Sequence, residues 1–279
     1  MSKGYDIIIQ AGQSNAQGYG YGETINPYEP TENILYFYDA DFERFDDTKY
    51  CSDGDGFEVA IAKERDAGGY KVCNFSLPFA DEYIKAGLLQ AGRKILIIRC
   101  AIGATSFYKK RWGKTDDLFL RMLKAMDNSM KLNYGDNDHR FVAFLWHQGE
   151  SDTDVNPSKE KYYHDLKYLV ESVREKANNP NLPFVAGDFV QDWKNSSQEV
   201  FDRCVPIVNA LRCLTSDLEC ADFVESEGLL SNRLNPTCPV FPEDKDPIIH
   251  DVKNDNIHFC RDAQMQLGKR YFEKFMKLR

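Results

Sequence analysis

The stretch Asp6-Ile7-Ile8-Ile9-Gln10-Ala11-Gly12-Gln13-Ser14-Asn15-Ala16-Gln17-Gly18 passes from an apolar run straight into a small polar turn bounded by glycines. A short isoleucine-rich run of this kind reads as a buried strand, and Gly, Ser and Asn after it read as the turn that ends it. A serine placed there projects its hydroxyl from the edge of a sheet, while backbone N–H groups of the turn stay available to an anion. The pattern recurs twice. Lys94-Ile95-Leu96-Ile97-Ile98-Arg99-Cys100-Ala101 empties into Ile102-Gly103-Ala104-Thr105-Ser106, and Phe141-Val142-Ala143-Phe144-Leu145-Trp146 runs into His147-Gln148-Gly149-Glu150-Ser151-Asp152. Near-continuous apolar runs mark strands of a parallel sheet covered on both faces.

Further strands are expected at 34–38 and 183–188, with 220–224 a candidate for one more, and amphipathic helices at 76–92, 116–132, 158–177, 196–214 and 262–278. The helix at 116–132 carries Leu118, Leu120, Met122, Leu123, Met126 and Met130 as its apolar side, a stripe that reads as core. Residues 39–71, with little periodicity, read as a long excursion, and 225–256 as an irregular, proline-bearing connection. Alternating strands and helices predict an α/β fold of three layers: a doubly wound, mostly parallel sheet of five strands between two helical layers. The whole chain, 1–279, is expected to form one domain, with ligands gathering beyond the carboxyl ends of the strands, where all three polar turns lie.

With 279 residues and 42% hydrophobic content, the chain can bury a sizeable core. A formal net charge of −9 argues against a nucleic-acid surface, since phosphate recognition rests on clustered Lys and Arg. No apolar run approaches the roughly 20 residues that span a bilayer, so no membrane partner is expected. The opening Met-Ser-Lys-Gly-Tyr-Asp lacks the apolar core of an export signal, which points to the cytoplasm unless a leader has been removed. Eight scattered cysteines show no metal-site spacing. They read as thiols in a reducing compartment, with 204–260 the place where disulfides would form. The first turn has neither G-x-G-x-x-G nor a Walker lysine, which removes the dinucleotide and P-loop readings.

A serine hydroxyl becomes a nucleophile when a base takes its proton and an acid holds that base in the right tautomer. Asp255-Asn256-Ile257-His258 supplies both, because residues three apart on a helical turn lie on one side. The plainer alternative has Asp255 capping the last helix and His258 on the surface. His250-Asp251 is a rival for the base, whereas His139 and His164 sit in polar settings with no such partner. Three donors are candidates for an oxyanion hole: the backbone N–H groups of Ser14 and Gly103, and the side-chain amide of Gln148. Gln13 and Asn15 beside the serine, and His147 and Glu150 in the third turn, are the candidates for substrate contact. Tyr19, Tyr21, Tyr108 and Trp112 follow the first two turns and are candidates to stack on a flat ligand face.

Gly-Gln-Ser-Asn, Ile-Gly-Ala-Thr, Trp-His-Gln-Gly-Glu-Ser-Asp and Asp-x-x-His together resemble the ordered blocks of the SGNH hydrolases, over residues 6–259. Gly12-Gln13-Ser14-Asn15 with Gln148-Gly149-Glu150-Ser151-Asp152 is similar, more narrowly, to the branch of sialate O-acetylesterases and the acetylxylan esterases of carbohydrate esterase family 6, where glutamine replaces the asparagine of the third block. The resemblance implies a flavodoxin-like SGNH fold, Ser14 as nucleophile, Asp255 and His258 completing the triad, and Ser14, Gly103 and Gln148 as the oxyanion hole. It further implies removal of acetyl groups from sugar hydroxyls through an acyl-enzyme, on acetylated xylan or O-acetylated sialic acid, with no metal or organic cofactor. A general short-chain ester or thioester hydrolase of the same fold, and a carbohydrate-binding domain without chemistry, remain as alternatives.

Overall fold

The structure is a computed structural model that describes residues 3–23, 27–39, 56–67, 70–155, 158–238 and 252–279. In chain order the elements are β1 (Tyr5–Gly12), a single turn α1 (Ser14–Gln17), β2 (Ile34–Asp39), β3 (Phe57–Ile61), β4 (Arg65–Ala67), β5 (Tyr70–Val72) and α2 (Ser76–Lys85). They continue with β6 (Lys94–Ala101), α3 (Asp117–Ser129), β7 (Arg140–His147), a 3-10 turn (Glu150–Val155), α4 (Lys159–Lys176) and β8 (Phe184–Gly187). The chain closes with α5 (Gln191–Lys194), α6 (Gln198–Asp217), β9 (Ala221–Val224) and α7 (Arg261–Lys277).

The central sheet has the order β3-β2-β6-β1-β7-β8-β9. All neighbours pair in parallel except β2 and β3, which are antiparallel, and β4 and β5 form a separate small ribbon. This is the expected mostly parallel sheet between helices, with seven strands in place of five. The antiparallel β3 falls in the segment that reads as an excursion, because an edge strand with Glu58, Val59 and Ile61 exposed gives no buried apolar run.

Side chains alternate across the sheet with a period of two. Ile7, Ile9, Ala11, Leu96, Ile98, Phe144 and Trp146 face the layer of α3, α4 and α6, whereas Ile8, Ile95, Ile97, Ala143 and Leu145 face α2 and α7. On α3, Leu118, Met122 and Met126 enter the core, while Leu120 and Met130 of the same expected stripe are exposed. Both Ser158 and Ser197 cap their helices, accepting from the backbone N–H of Lys161 and Val200. Ser76 does not cap α2. It lies inside the first turn and donates to Gln10 Oε1 and Asn74 Oδ1, while Asn74 Oδ1 accepts the Ser76 N–H.

At the amino-terminal end of the strands, buried Asp6 binds Arg93 Nε at 2.7 Å, Arg140 Nε at 2.7 Å and Tyr83 Oη at 2.9 Å. A carboxylate stripped of water is tolerable only with such charged and hydroxyl partners. The described cysteines are free thiols. Among the described residues no helix is long and apolar enough to cross a membrane.

Candidate active site

Three parallel strands end at one level. Gly12 of β1 pairs with Ala101 of β6 on one side and with His147 of β7 on the other, so the turns that follow begin side by side. The junction is tight: Gly12 has φ +135°, and a Cβ there would lie 2.1 Å from the carbonyl oxygen of His147. Only glycine allows that approach. The next N–H, that of Gln13, donates to the same oxygen at 3.0 Å.

Ser14 opens α1 and is 7% exposed. As the first residue of a helical turn its N–H has no intrahelical acceptor, and none is found among the described residues. Two residues beyond Ala101, Gly103 stands next to it: a Cβ on Gly103 would be 3.5 Å from the Ser14 Cβ and 3.7 Å from the Tyr19 hydroxyl. The Gly103 N–H donates to Gln17 Oε1 at 2.9 Å.

His258 and Asp255 meet as the spacing suggests. The two carboxylate oxygens lie 3.0 and 2.9 Å from His258 Nδ1, and Asp255 Oδ1 also accepts the His258 backbone N–H at 3.1 Å. Asn232 Nδ2 donates to the other oxygen at 2.8 Å. Burial alone would push the Asp255 carboxyl up, but the His258 ring and the Asn232 amide outweigh it and hold the group below its usual value. The carboxylate is therefore ionised around neutrality and favours the histidine tautomer with Nδ1 protonated. Tyr19 stacks on the His258 ring with centroids 5.0 Å apart.

Asn15, immediately after Ser14, ties this pair to the serine. Its Nδ2 donates to the carbonyl of Ile257 at 3.0 Å, and its Oδ1 accepts the N–H of Phe259 at 3.1 Å. One amide thus grips the backbone on both sides of His258. The remaining amide hydrogen reaches Glu150 Oε1 at 2.8 Å, and Gln264 Nε2 donates to the Asn15 carbonyl at 3.0 Å.

The geometry departs from sequence expectation at several residues. Gln148 is fully buried, and its Nε2 is engaged by Asp152 Oδ2 at 2.7 Å, the Thr105 carbonyl at 3.1 Å and Gln13 Oε1 at 3.3 Å. An amide nitrogen carries two hydrogens, so this one is spent on tying the three turns together and does not face an oxyanion. The four residues expected to touch substrate are also buried: Gln13 at 2% exposure, Asn15 and His147 at 0%, Glu150 at 2%. Gln13 Oε1 accepts from the N–H of Ser151, and Asn15 holds the histidine loop. His147 Nδ1 lies 3.0 Å from Tyr271 Oη, and its ring, deprived of water, has its pKa depressed to about 3. Burial pushes the Glu150 carboxyl up.

Of the expected aromatic platforms only Tyr108 is exposed. Tyr19 and Tyr21 are buried, and Trp112 packs edge-on against Trp146 with Nε1 donating to Thr105 Oγ1. The rival pair His250-Asp251 lies outside the described residues. Sequence reasoning missed Asn232 and Gln17 altogether, since a lone polar residue in a loop carries no signal of its partner. The Asp152 carboxylate accepts the N–H groups of Phe107 and Tyr108 and so anchors the second turn to the third. No group of three or more His, Cys, Asp or Glu side chains placed to hold a metal occurs among the described residues.

Residues 4–236 match the family model described as carbohydrate esterase, sialic acid-specific acetylesterase. A probable carbohydrate esterase of Arabidopsis thaliana is 25% identical over 206 residues, which span 71% of this chain and 62% of that protein. The crystal structure of that Arabidopsis protein superposes with a TM-score of 0.66 at 22% identity, covering 98% of both chains. The crystal structure of NanS gives a TM-score of 0.70 at 17% identity over 99% of this chain and 98% of its own. A carbohydrate acetylesterase from Xanthomonas citri gives 0.55 at 14% identity, covering 98% of this chain and 56% of that one. At these identities the structural likeness is one of fold.

Proposed function

Because the chain belongs to the carbohydrate esterase, sialic acid-specific acetylesterase family, we propose that it removes O-acetyl groups from carbohydrates, with Ser14, His258 and Asp255 as its catalytic triad. The observation that carries this reading is the double grip of Asn15, the residue after the serine, on the backbone either side of His258, whose ring is paired with the Asp255 carboxylate.

In the first half-reaction His258 Nε2 takes the proton of the Ser14 hydroxyl as Oγ bonds to the acetyl carbonyl carbon. The carbonyl oxygen becomes an oxyanion, held by the N–H groups of Ser14 and Gly103. Collapse breaks the bond to the sugar oxygen, which leaves with the proton from His258, and the acetyl group stays on Ser14. Water then gives its proton to His258 and attacks the acetyl carbon. Acetate departs, and Ser14 recovers its proton. Asp255 stabilises the imidazolium formed in both halves. Gln148, Gln13 and Asp152 keep the three turns in register, and exposed Tyr108, whose N–H is fixed by Asp152, is the aromatic surface offered to a sugar ring.

The test is acetate release from acetylated xylan, an O-acetylated sialic acid and p-nitrophenyl acetate by the wild type and Ser14→Ala. The proposal expects release from at least one acetylated sugar and a fall of roughly 1,000-fold or more in the variant. Cleavage of p-nitrophenyl acetate alone would return the reading to a general short-chain esterase. No release from any substrate would favour the non-catalytic alternative.

A further inference from the structure

Gly103 N–H, one of the two backbone donors assigned to the oxyanion, already has an acceptor: the side-chain carbonyl oxygen of Gln17, 2.9 Å away. Ser14 and Gly103 each lie two residues past the paired Gly12 and Ala101, so an oxygen bound to the Gly103 N–H sits beside the serine. An amide carbonyl oxygen is chemically close to the acetyl oxygen that has to arrive there.

The main chain of Gln17 is fixed. Its N–H donates to the Gln13 carbonyl at 2.8 Å, and its own carbonyl accepts from Arg99 Nη2 at 2.7 Å. Arg99 is itself held over the Tyr36 ring. The side chain is not fixed in this way. Gln17 is half-buried, its Oε1 has the single bond to Gly103, and its Nε2 has no acceptor among the described residues. The amide is a pendant group on a rigid turn, retained by one neutral hydrogen bond.

We propose that the Gln17 amide is a built-in occupant of the oxyanion hole, holding the Gly103 N–H in the resting enzyme and displaced by the acyl oxygen of the substrate. The inference rests on the triad reading above. An ester carbonyl is a weaker acceptor than an amide, so the ground-state ester gains little by the exchange. The oxyanion, being charged, makes hydrogen bonds roughly twice as strong and displaces Gln17 readily. Gln17 thereby withholds one donor from the bound ester and yields it to the transition state, which costs ground-state affinity without costing turnover.

Gln17→Met keeps the length of the side chain and removes its acceptor, and Gln17→Ala removes both. With p-nitrophenyl acetate each variant is expected to raise kcat/KM roughly two- to tenfold, the range set by one neutral hydrogen bond, with the gain carried by KM. Exchange of the Gly103 amide proton, read by NMR, should be faster in Gln17→Met by a similar factor. A fall in kcat/KM in Gln17→Met with unchanged thermal unfolding would overturn the proposal, showing the amide to be scaffold or substrate donor. A gain in Gln17→Ala alone would overturn it in favour of simple crowding. Equal Gly103 exchange in the two proteins would overturn it without reference to activity. Absence of any Ser14-dependent turnover in the wild type would instead defeat the triad reading, while the exchange measurement still decides the contact.

Discussion

At the scale of single residues, the site is built on polar side chains that water does not reach. His147 is the extreme case. Its Nδ1 faces Tyr271 Oη, which donates to the Trp146 carbonyl at 2.8 Å, and its Nε2 has no hydrogen-bond partner among the described residues. The ring therefore stays neutral down to about pH 3, whereas an unfolded histidine takes its proton near pH 6.5. Between those values the unfolded chain binds more protons, so the stability associated with His147 is present above pH 6.5 and is lost as pH falls below it. Relative to His147→Gln, the wild type is expected to lose about 2 kcal/mol of unfolding free energy between pH 6.5 and about pH 5, at about 1.4 kcal/mol per pH unit. Urea unfolding of both proteins at the two pH values measures it, and a pH-independent difference would show that the ring titrates normally. Glu150, 4.0 Å from His147 Nε2, is pushed up by the same burial.

At the scale of elements, the geometry belongs to junctions. β1, β6 and β7 end in register, and each turn is bonded to another: Gln13 to the third, Asp152 to the second, Asn15 to the segment before α7. Asn15 is thus a positioning residue. Asn15→Ala is expected to lower kcat by roughly 10- to 100-fold with KM for p-nitrophenyl acetate little changed, because a misplaced base slows proton transfer more than binding. Asn15→Asp keeps the Phe259 acceptor but sets a buried carboxylate oxygen against Glu150 and the Ile257 carbonyl, and should recover none of the loss. Equal rates in all three proteins would mean that α7 alone holds His258. These junctions explain what was legible in the sequence. The turns could be found because each follows a run such as Ile7-Ile8-Ile9 or Ile95-Leu96-Ile97-Ile98, buried on both faces and so continuously apolar. The roles of Gln13, Gln148 and Glu150 could not, because burial or exposure of a turn residue depends on partners such as Thr105, Asp152 and Asn15, between 43 and 135 positions away for the longer links. Edge strand β3 was lost for the converse reason, its exposed side chains carrying no apolar run.

At the scale of the molecule, the two ends of the sheet divide the polar work. Asp6, Arg93, Arg140 and Tyr83 form an ionic cluster at the amino-terminal end of the strands. Ser14, Gly103 and the third turn stand at the carboxyl-terminal end, where Asn15 bonds the backbone on both sides of His258 and Asn232 bonds Asp255. Tyr21 N–H and the Tyr19 carbonyl both bind the Asn232 side chain, so the region before α7 is stitched to the chain just past the serine. For the acetylesterase activity proposed above, the covalent step at Ser14 is the point on which everything else depends. The direct measurement is peptide mapping of enzyme quenched during turnover of p-nitrophenyl acetate. One acetyl group is expected on the peptide containing Ser14, and none on Ser14→Ala. Steady turnover with no acetylated peptide, or with the acetyl group on another residue, would contradict it.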